Sequence, residues 1–130
     1  MDPDVAPRAI VAGHGALPGG LVSAVEQITG RGNALIPFSN VGLGRAEIES
    51  GLRDLLALHG VNVVFTDLPG GSATFAARRV QHDTPGLIVV TGVSLAALMD
   101  FVFCDAQMPA DESTARAVEK GRAAIAAVAI

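Results

Sequence analysis

Four short apolar runs, each followed by a stretch with helical spacing, constrain the fold of this chain more than any other feature. The runs cover residues 8–12, 34–39, 62–66 and 87–90. They lack the alternation of polar and apolar residues that marks a half-exposed sheet, so they predict strands buried on both faces of a parallel sheet. The β-α repetition predicts an open, doubly wound α/β sheet of four parallel strands with helices on both faces.

The residues that mark helix ends support this division of the chain. Ser72 and Ser94 stand at predicted N-caps, and Gly60 stands where a C-cap glycine belongs. A last helix is predicted over residues 111–120 and is expected to end at Gly121. The apolar segment that follows, residues 123–130, fits either more helix or an edge strand, and periodicity alone leaves both open.

Length and composition exclude several classes of protein. The chain has 130 residues, which is the size of one domain, and we expect that domain to cover residues 8–130 after a loosely held extension over residues 1–7. A formal charge of -4, with no basic cluster and neither Trp nor Tyr, argues against nucleic-acid binding. The single cysteine, Cys104, excludes an internal disulfide and fits a cytoplasmic protein.

No cofactor or metal site is predicted. The three histidines are scattered without the spacing of metal ligands, and no P-loop sequence is present. The apolar runs are too short to span a membrane, and the N-terminus lacks the features of a signal peptide. We therefore expect a protein that works without a bound metal or cofactor.

Two residues with reactive side chains follow the first and third predicted strands. His14 lies in "GHG" after the first strand, and Asp67 ends the third. In open α/β sheets ligands bind at the carboxyl ends of the strands, where the strand order reverses. If the strand order is 2-1-3-4, His14 and Asp67 meet at that point.

The residues around this pair predict phosphoryl chemistry. A carboxylate that accepts a hydrogen bond from the N–H of one ring nitrogen leaves the other nitrogen as the nucleophile. This assigns the orienting role to Asp67 and the phosphorylated role to His14. The amides of Gly70, Gly71 and Ser72, at the start of a helix, form a predicted site for phosphoryl oxygens. The small neighbours of His14 are interpreted as room for an incoming protein partner.

The sequence resembles the IIA component of the mannose family of the phosphoenolpyruvate-dependent sugar phosphotransferase system. The segments that carry the resemblance are "IVAGHGALPGGLVSAVEQITG", "VVFTDLPGGSATFAARRV" and "LIVVTGVSLAALMDFV". They differ from the usual family pattern at Gly13, where Ser or Thr is common, and at Leu68 and Pro69, where an aromatic residue is common.

This resemblance implies a function and partners. His14 would accept a phosphoryl group from the phosphocarrier protein HPr and pass it to a IIB component, with Asp67 as its hydrogen-bond partner. The family also implies a homodimer in which a C-terminal strand, here within residues 123–130, pairs with the other subunit's sheet. Contact with the membrane components IIC and IID would be peripheral at most.

Two other functions remain open from the sequence. In the first, phosphorylation of the same His14 reports sugar or energy status to another protein, and the chain has no transport role. In the second, the chain is the phosphodonor subunit for a dihydroxyacetone kinase, whose IIA-like domain has a similar histidine and fold. The "DLPGGS" loop is closer to the sugar-transporter form.

Overall fold

A computed structural model of the chain describes residues 5–130. Four parallel strands form one sheet in which the second strand of the chain lies beside the first, the first beside the third and the third beside the fourth. This order, 2-1-3-4, confirms the predicted α/β fold and strand order. A short 3-10 turn, Gly32–Ala34, precedes the second strand. The elements in chain order are β1 (Ala9–Gly13), α1 (Leu17–Thr29), β2 (Leu35–Ser39), α2 (Arg45–His59), β3 (Val63–Thr66), α3 (Ser72–His82), β4 (Ile88–Val90), α4 (Leu95–Phe103) and α5 (Ala110–Ala124).

The core lies on both faces of the sheet, as the uninterrupted apolar runs predict. Successive side chains of a strand point to opposite faces, so Val11 packs with α1, α4 and α5 while Ile10 packs with α2 and α3. Phe65 of β3 meets Phe101 of α4 edge to face, with ring centroids 5.1 Å apart. The two central strands are fully buried, whereas the edge strands β2 and β4 are mostly part-exposed, contrary to the expectation that every strand is covered on both sides.

Two of the predicted helix ends are confirmed and two are wrong. Gly60 ends α2 with a left-handed φ of 65°, and the Ser94 hydroxyl accepts a hydrogen bond from the Ala97 amide at 3.2 Å. Ser72 is not an N-cap: Gly71 takes the extended cap position, and Ser72 is the first residue of α3. The serine hydroxyl is thereby free for a contact outside the helix.

Gly121 does not end the last helix, because α5 continues to Ala124. A Cβ atom at Gly121 would lie 3.1 Å from Ala97 Cβ and 3.2 Å from Ser94 Oγ. The glycine therefore serves the close approach of α5 to the start of α4. Its place in the sequence predicts a helix end, whereas the structure shows that it allows close packing.

The segment after α5 forms no strand within this chain. Residues 125–130 have no regular secondary structure, and the side chains of Ile125, Val128 and Ile130 are exposed. Residues 123 and 124, which the sequence grouped with this segment, belong to α5. The exchange of a C-terminal strand between subunits stays a prediction.

The N-terminal segment is described in part. Residues 1–4 of the predicted extension over residues 1–7 lie outside the described residues, while Val5 packs against the cluster on the α1, α4 and α5 face. Across residues 5–130, no helix combines the length and apolar character needed to cross a membrane.

Candidate functional site

His14 lies immediately beyond the carboxyl end of β1. The left-handed Gly15 follows it (φ 58°), and the chain turns there into α1, with the Leu17 amide donating to the His14 carbonyl oxygen at 3.2 Å. The His14 side chain is 53% exposed. The imidazole is thus held on a turn and remains accessible from outside.

Asp67, directly after β3, holds both the backbone and the ring of His14. Its Oδ2 accepts from the His14 backbone N–H at 2.9 Å and lies 2.7 Å from His14 Nδ1. The Asp67 side chain is only 7% exposed. The predicted pair is therefore brought together, because β1 and β3 are neighbours in the sheet.

The ionisation of Asp67 determines which ring nitrogen of His14 is free. Burial of Asp67 opposes its charged form, but hydrogen bonds from the His14 ring and backbone outweigh that effect, and the pKa of Asp67 is lowered. The carboxylate is therefore ionised at neutral pH and can only accept, so Nδ1 must carry the hydrogen of the 2.7 Å bond. Nε2 of neutral His14 then holds a free lone pair.

Gly13 has a specific steric role in this pair. A Cβ atom at that position would lie 2.8 Å from both Cγ and Oδ2 of Asp67. With the backbone as it stands in this chain, a side chain at position 13 would require the Asp67 carboxylate to shift. The glycine before the histidine thus makes room for Asp67 beside the imidazole. The expected room for a protein partner stays a prediction.

The predicted phosphate-binding loop borders the imidazole. The Cβ position of Gly71 lies 3.2 Å from His14 Cε1, and Gly70, just before it, has open space around its own Cβ position. Ser72 begins α3, whose 11 residues direct a helix N-terminus toward this region. First-turn amides of a helix have no helical acceptor and favour anions, which fits the chemistry expected of Gly70, Gly71 and Ser72.

A buried pair of hydroxyls supports the loop that carries Asp67, and the sequence reasoning missed it. Thr74 Oγ1 lies 2.7 Å from Thr66 Oγ1 and also contacts the Leu68 carbonyl oxygen. A carbonyl only accepts and a hydroxyl has one hydrogen, so Thr74 donates to Leu68 and accepts from Thr66. The sequence offered one signal for this contact, since Thr66 and Thr74 are hydroxyl residues among the apolar residues on either side of the loop.

The end of β2 contributes two more residues that the sequence reasoning missed. Ser39 Oγ donates to the Gly15 carbonyl oxygen at 2.7 Å. Asn40 donates from its backbone N–H to the Gly13 carbonyl at 2.9 Å and from Nδ2 to Ser72 Oγ at 3.0 Å. The position of "SN" at the end of a strand beside β1 was the signal that could have found them.

Exposed apolar side chains lie at the same end of the sheet as His14. They occur on the segments that follow β1, β2 and β3, and the Arg45 guanidinium lies 5.6 Å from the ring centroid of one of them, Phe75. The full set is Leu17, Val41, Leu43, Leu68 and Phe75. Such residues around a polar centre are typical of a surface that meets another protein.

Metal-ligating side chains do not cluster in the described part of the chain. Among residues 5–130, no three His, Cys, Asp or Glu side chains are close enough to share an ion.

Several solved structures share this fold, and among them are two that carry names of phosphotransferase-system components. A mannose/sorbose-specific IIA subunit from Enterococcus faecalis superposes with a TM-score of 0.82 at 22% identity, covering 96% of each chain. A phosphotransferase system component EIIA from Streptococcus agalactiae gives a TM-score of 0.83 at 21% identity, over 92% of this chain and 95% of that one. A sigma-54 interaction domain protein from Enterococcus faecalis gives 0.73 at 10% identity, over 92% and 93%.

Family membership follows from the sequence itself. The family model EIIA-man, described as the PTS system fructose IIA component, matches residues 8–118. The chain belongs to this family of sugar phosphotransferase system IIA components, which confirms the resemblance carried by the histidine and aspartate segments. A search of curated proteins found no match. The family places the chain in phosphoryl transfer linked to sugar transport.

Proposed function

We propose that His14 is the residue that carries the phosphoryl group, accepting it from phosphorylated HPr and passing it to a IIB component. The observation that carries this proposal is the 2.7 Å contact between His14 Nδ1 and Asp67 Oδ2. It occupies one ring nitrogen and leaves Nε2 of a half-exposed imidazole as the nucleophile.

The transfer step can be written on these atoms. The Nε2 lone pair of His14 forms a bond to phosphorus while the bond between phosphorus and the donor residue breaks, and that electron pair returns to the donor. The Nδ1 proton stays in place, and the charge that develops on the ring is stabilised by Asp67. The amides of Gly71 and Ser72, at the N-terminus of α3, would hold the phosphoryl oxygens.

The hydrogen bonding of Asp67 supports a role in function rather than in folding. Its Oδ1 atom is buried and has no hydrogen-bond partner within the part of the chain described. Leaving a buried acceptor unpaired costs stability, so a carboxylate that directs its other oxygen to a single exposed histidine fits a site residue better than a structural one.

The exposed apolar side chains near His14 support a protein as the donor and the acceptor. A small phosphorylated metabolite would need a closed pocket. The His14 ring is instead half exposed and bordered by apolar side chains such as Leu68 and Phe75. A folded partner can cover those groups and place its own phosphorylated residue in line with Nε2. Such partners would place this chain in the cytoplasm.

Phosphorylation with labelled phosphoenolpyruvate, enzyme I and HPr tests the proposal. We expect one acid-labile phosphoryl group per chain, which a IIB component then removes. His14→Ala should abolish labelling, while the matched variants His59→Ala and His82→Ala, which change the other two histidines, should keep it. Full labelling of His14→Ala would overturn the assignment, and failure of IIB to remove the label would favour the regulatory alternative.

We also propose that two copies of the chain pair through their C-terminal tails. The outer edge of β4 has no strand beside it within the described chain. Next to it, β4, α4 and α5 line a groove of about 660 Å³ that includes Val90, Ala115 and Val118. The exposed Val128 and Ile130 of a second copy have the apolar character to fill that groove as part of an added strand.

A further inference from the structure

Asn40 connects the turn that carries His14 with the start of α3, where the predicted phosphate-binding loop ends. Its backbone N–H is bonded to the Gly13 carbonyl, immediately before His14, and its side-chain Nδ2 is bonded to Ser72 Oγ at the start of α3. The Leu43 amide donates to the Asn40 carbonyl at 3.0 Å, which fixes the backbone of the residue from the other side. One residue of the β2 end therefore spans from the histidine turn to the phosphate-binding loop.

The direction of the Asn40–Ser72 bond matters for chemistry. An amide NH₂ group can only donate, so Ser72 Oγ accepts in this 3.0 Å bond. A hydroxyl that accepts keeps its own hydrogen for another partner. Among residues 5–130, the Ser72 hydroxyl hydrogen has no acceptor, and the serine is only partly buried at the N-terminus of α3.

We propose that Asn40 is a positioning residue that holds the Ser72 hydroxyl with its hydrogen free to donate to a phosphoryl oxygen on His14. This inference rests on the proposed function, since it needs a phosphoryl group at that position. Asn40 itself touches no reacting atom. It acts through Ser72, by supplying the donor that turns the serine oxygen into an acceptor.

Three variants separate this role from ordinary structural support. Asn40→Ala removes the donor. Asn40→Asp keeps the shape but replaces the donor with a negatively charged group that accepts a hydrogen bond from the Ser72 hydroxyl. Asn62→Ala is the matched control, because Asn62 is an exposed residue just before β3, at the opposite end of the sheet. The readout is the single-turnover rate of transfer from phosphorylated HPr at saturating concentration, with thermal unfolding measured for each variant.

We expect Asn40→Ala to slow transfer by about three- to tenfold, which is the range that one hydrogen bond to the reacting group provides. Asn40→Asp should slow it by about tenfold or more, because its carboxylate repels the phosphoryl oxygens. Asn62→Ala should match the wild type. An Asn40→Asp variant that transfers at the wild-type rate would overturn the proposal, and this arm decides the matter if Asn40→Ala is poorly folded.

A double-mutant cycle with Ser72→Ala distinguishes a role through the serine hydroxyl from structural support, because it compares the rate loss caused by Asn40→Ala with and without that hydroxyl. If Asn40 acts through the serine hydroxyl, Asn40→Ala should have no further effect on the rate in the Ser72→Ala background. The same rate loss in both backgrounds would contradict the inference. Failure of the wild type to become phosphorylated would instead refute the proposed function, so the two failures are distinguishable.

Discussion

At the scale of single residues, the site depends on how closely Asp67 approaches the backbone at Gly13. The carboxylate contacts the histidine twice through one oxygen, and the space it occupies is the space that a Cβ atom at position 13 would take. The position of Asp67 beside the His14 ring thus depends on the absence of a side chain at position 13.

Gly13→Ala tests this steric role. We expect the added methyl group to displace Asp67, to release His14 Nδ1, and to slow phosphoryl transfer by about 100-fold, as misplacements near 1 Å can do. The overpacked site should also lose about 1–3 kcal/mol of unfolding free energy. Transfer rates corrected for the folded fraction would give the first quantity and denaturant unfolding the second.

Gly20→Ala is the matched control for that experiment. Gly20 lies in the first turn of α1, and a Cβ atom there meets nothing within 4 Å. Because alanine favours the helix over glycine, the variant should be more stable by roughly 0.5–1 kcal/mol and should transfer at the wild-type rate. Equal behaviour of the two variants would refute the steric account of Gly13.

The identities of His14 and Asp67 as a pair could be predicted from the sequence, because both follow strands that the β-α pattern makes neighbours. The role of Gly13 could not, since nothing in a linear sequence tells which atom a missing Cβ makes room for. Asn40 was missed for a similar reason. Its partner Ser72 is 32 residues away, and only the folded sheet brings the two together.

At the scale of elements, the order of strands and helices follows from periodicity, while the two wrong helix ends occur where one residue type has two structural uses. Serine is a common N-cap and so predicts a cap at Ser72, but the extended residue is Gly71. Glycine is common at helix ends and so predicts an end at Gly121, but this glycine allows close packing of α5 on α4. Neither choice can be made without the neighbouring element.

Gly121→Val tests the packing of these two helices. The new side chain would collide with Ala97 and Ser94, and we expect a loss of about 1–3 kcal/mol in unfolding free energy. Ala123→Val, at an exposed position of the same helix, should cost less than about 0.7 kcal/mol, which is the propensity difference alone. Equal losses in the two variants would show that α5 does not need the glycine for its contact.

At the scale of the whole molecule, the apolar groove beside β4 and the exposed tail, residues 125–130, are the two surfaces through which we propose that two copies pair. Deletion of residues 125–130 leaves α5 complete, so it removes the tail without shortening a helix. By light scattering, we expect the full chain to be a dimer and the deletion variant to be a monomer. A variant with six Ser and Gly residues in place of the tail should behave like the deletion.

Two outcomes would contradict the proposed pairing through the tail. A deletion variant that remains a stable dimer would rule out exchange of the tail as the basis of pairing. A full-length chain that is a monomer would remove the proposal altogether. Neither result would affect the contacts of His14 and Asp67, which lie within one chain.

The central claim is that the phosphoryl group is carried on Nε2 of His14 while Asp67 holds Nδ1. The most direct measurement is nuclear magnetic resonance of the phosphorylated, ¹⁵N-labelled protein, in which coupling to phosphorus identifies the modified ring nitrogen. The account predicts coupling to Nε2 of His14 and a retained proton on its Nδ1. Phosphorus bonded to Nδ1, or to the ring of His59 or His82, would contradict it.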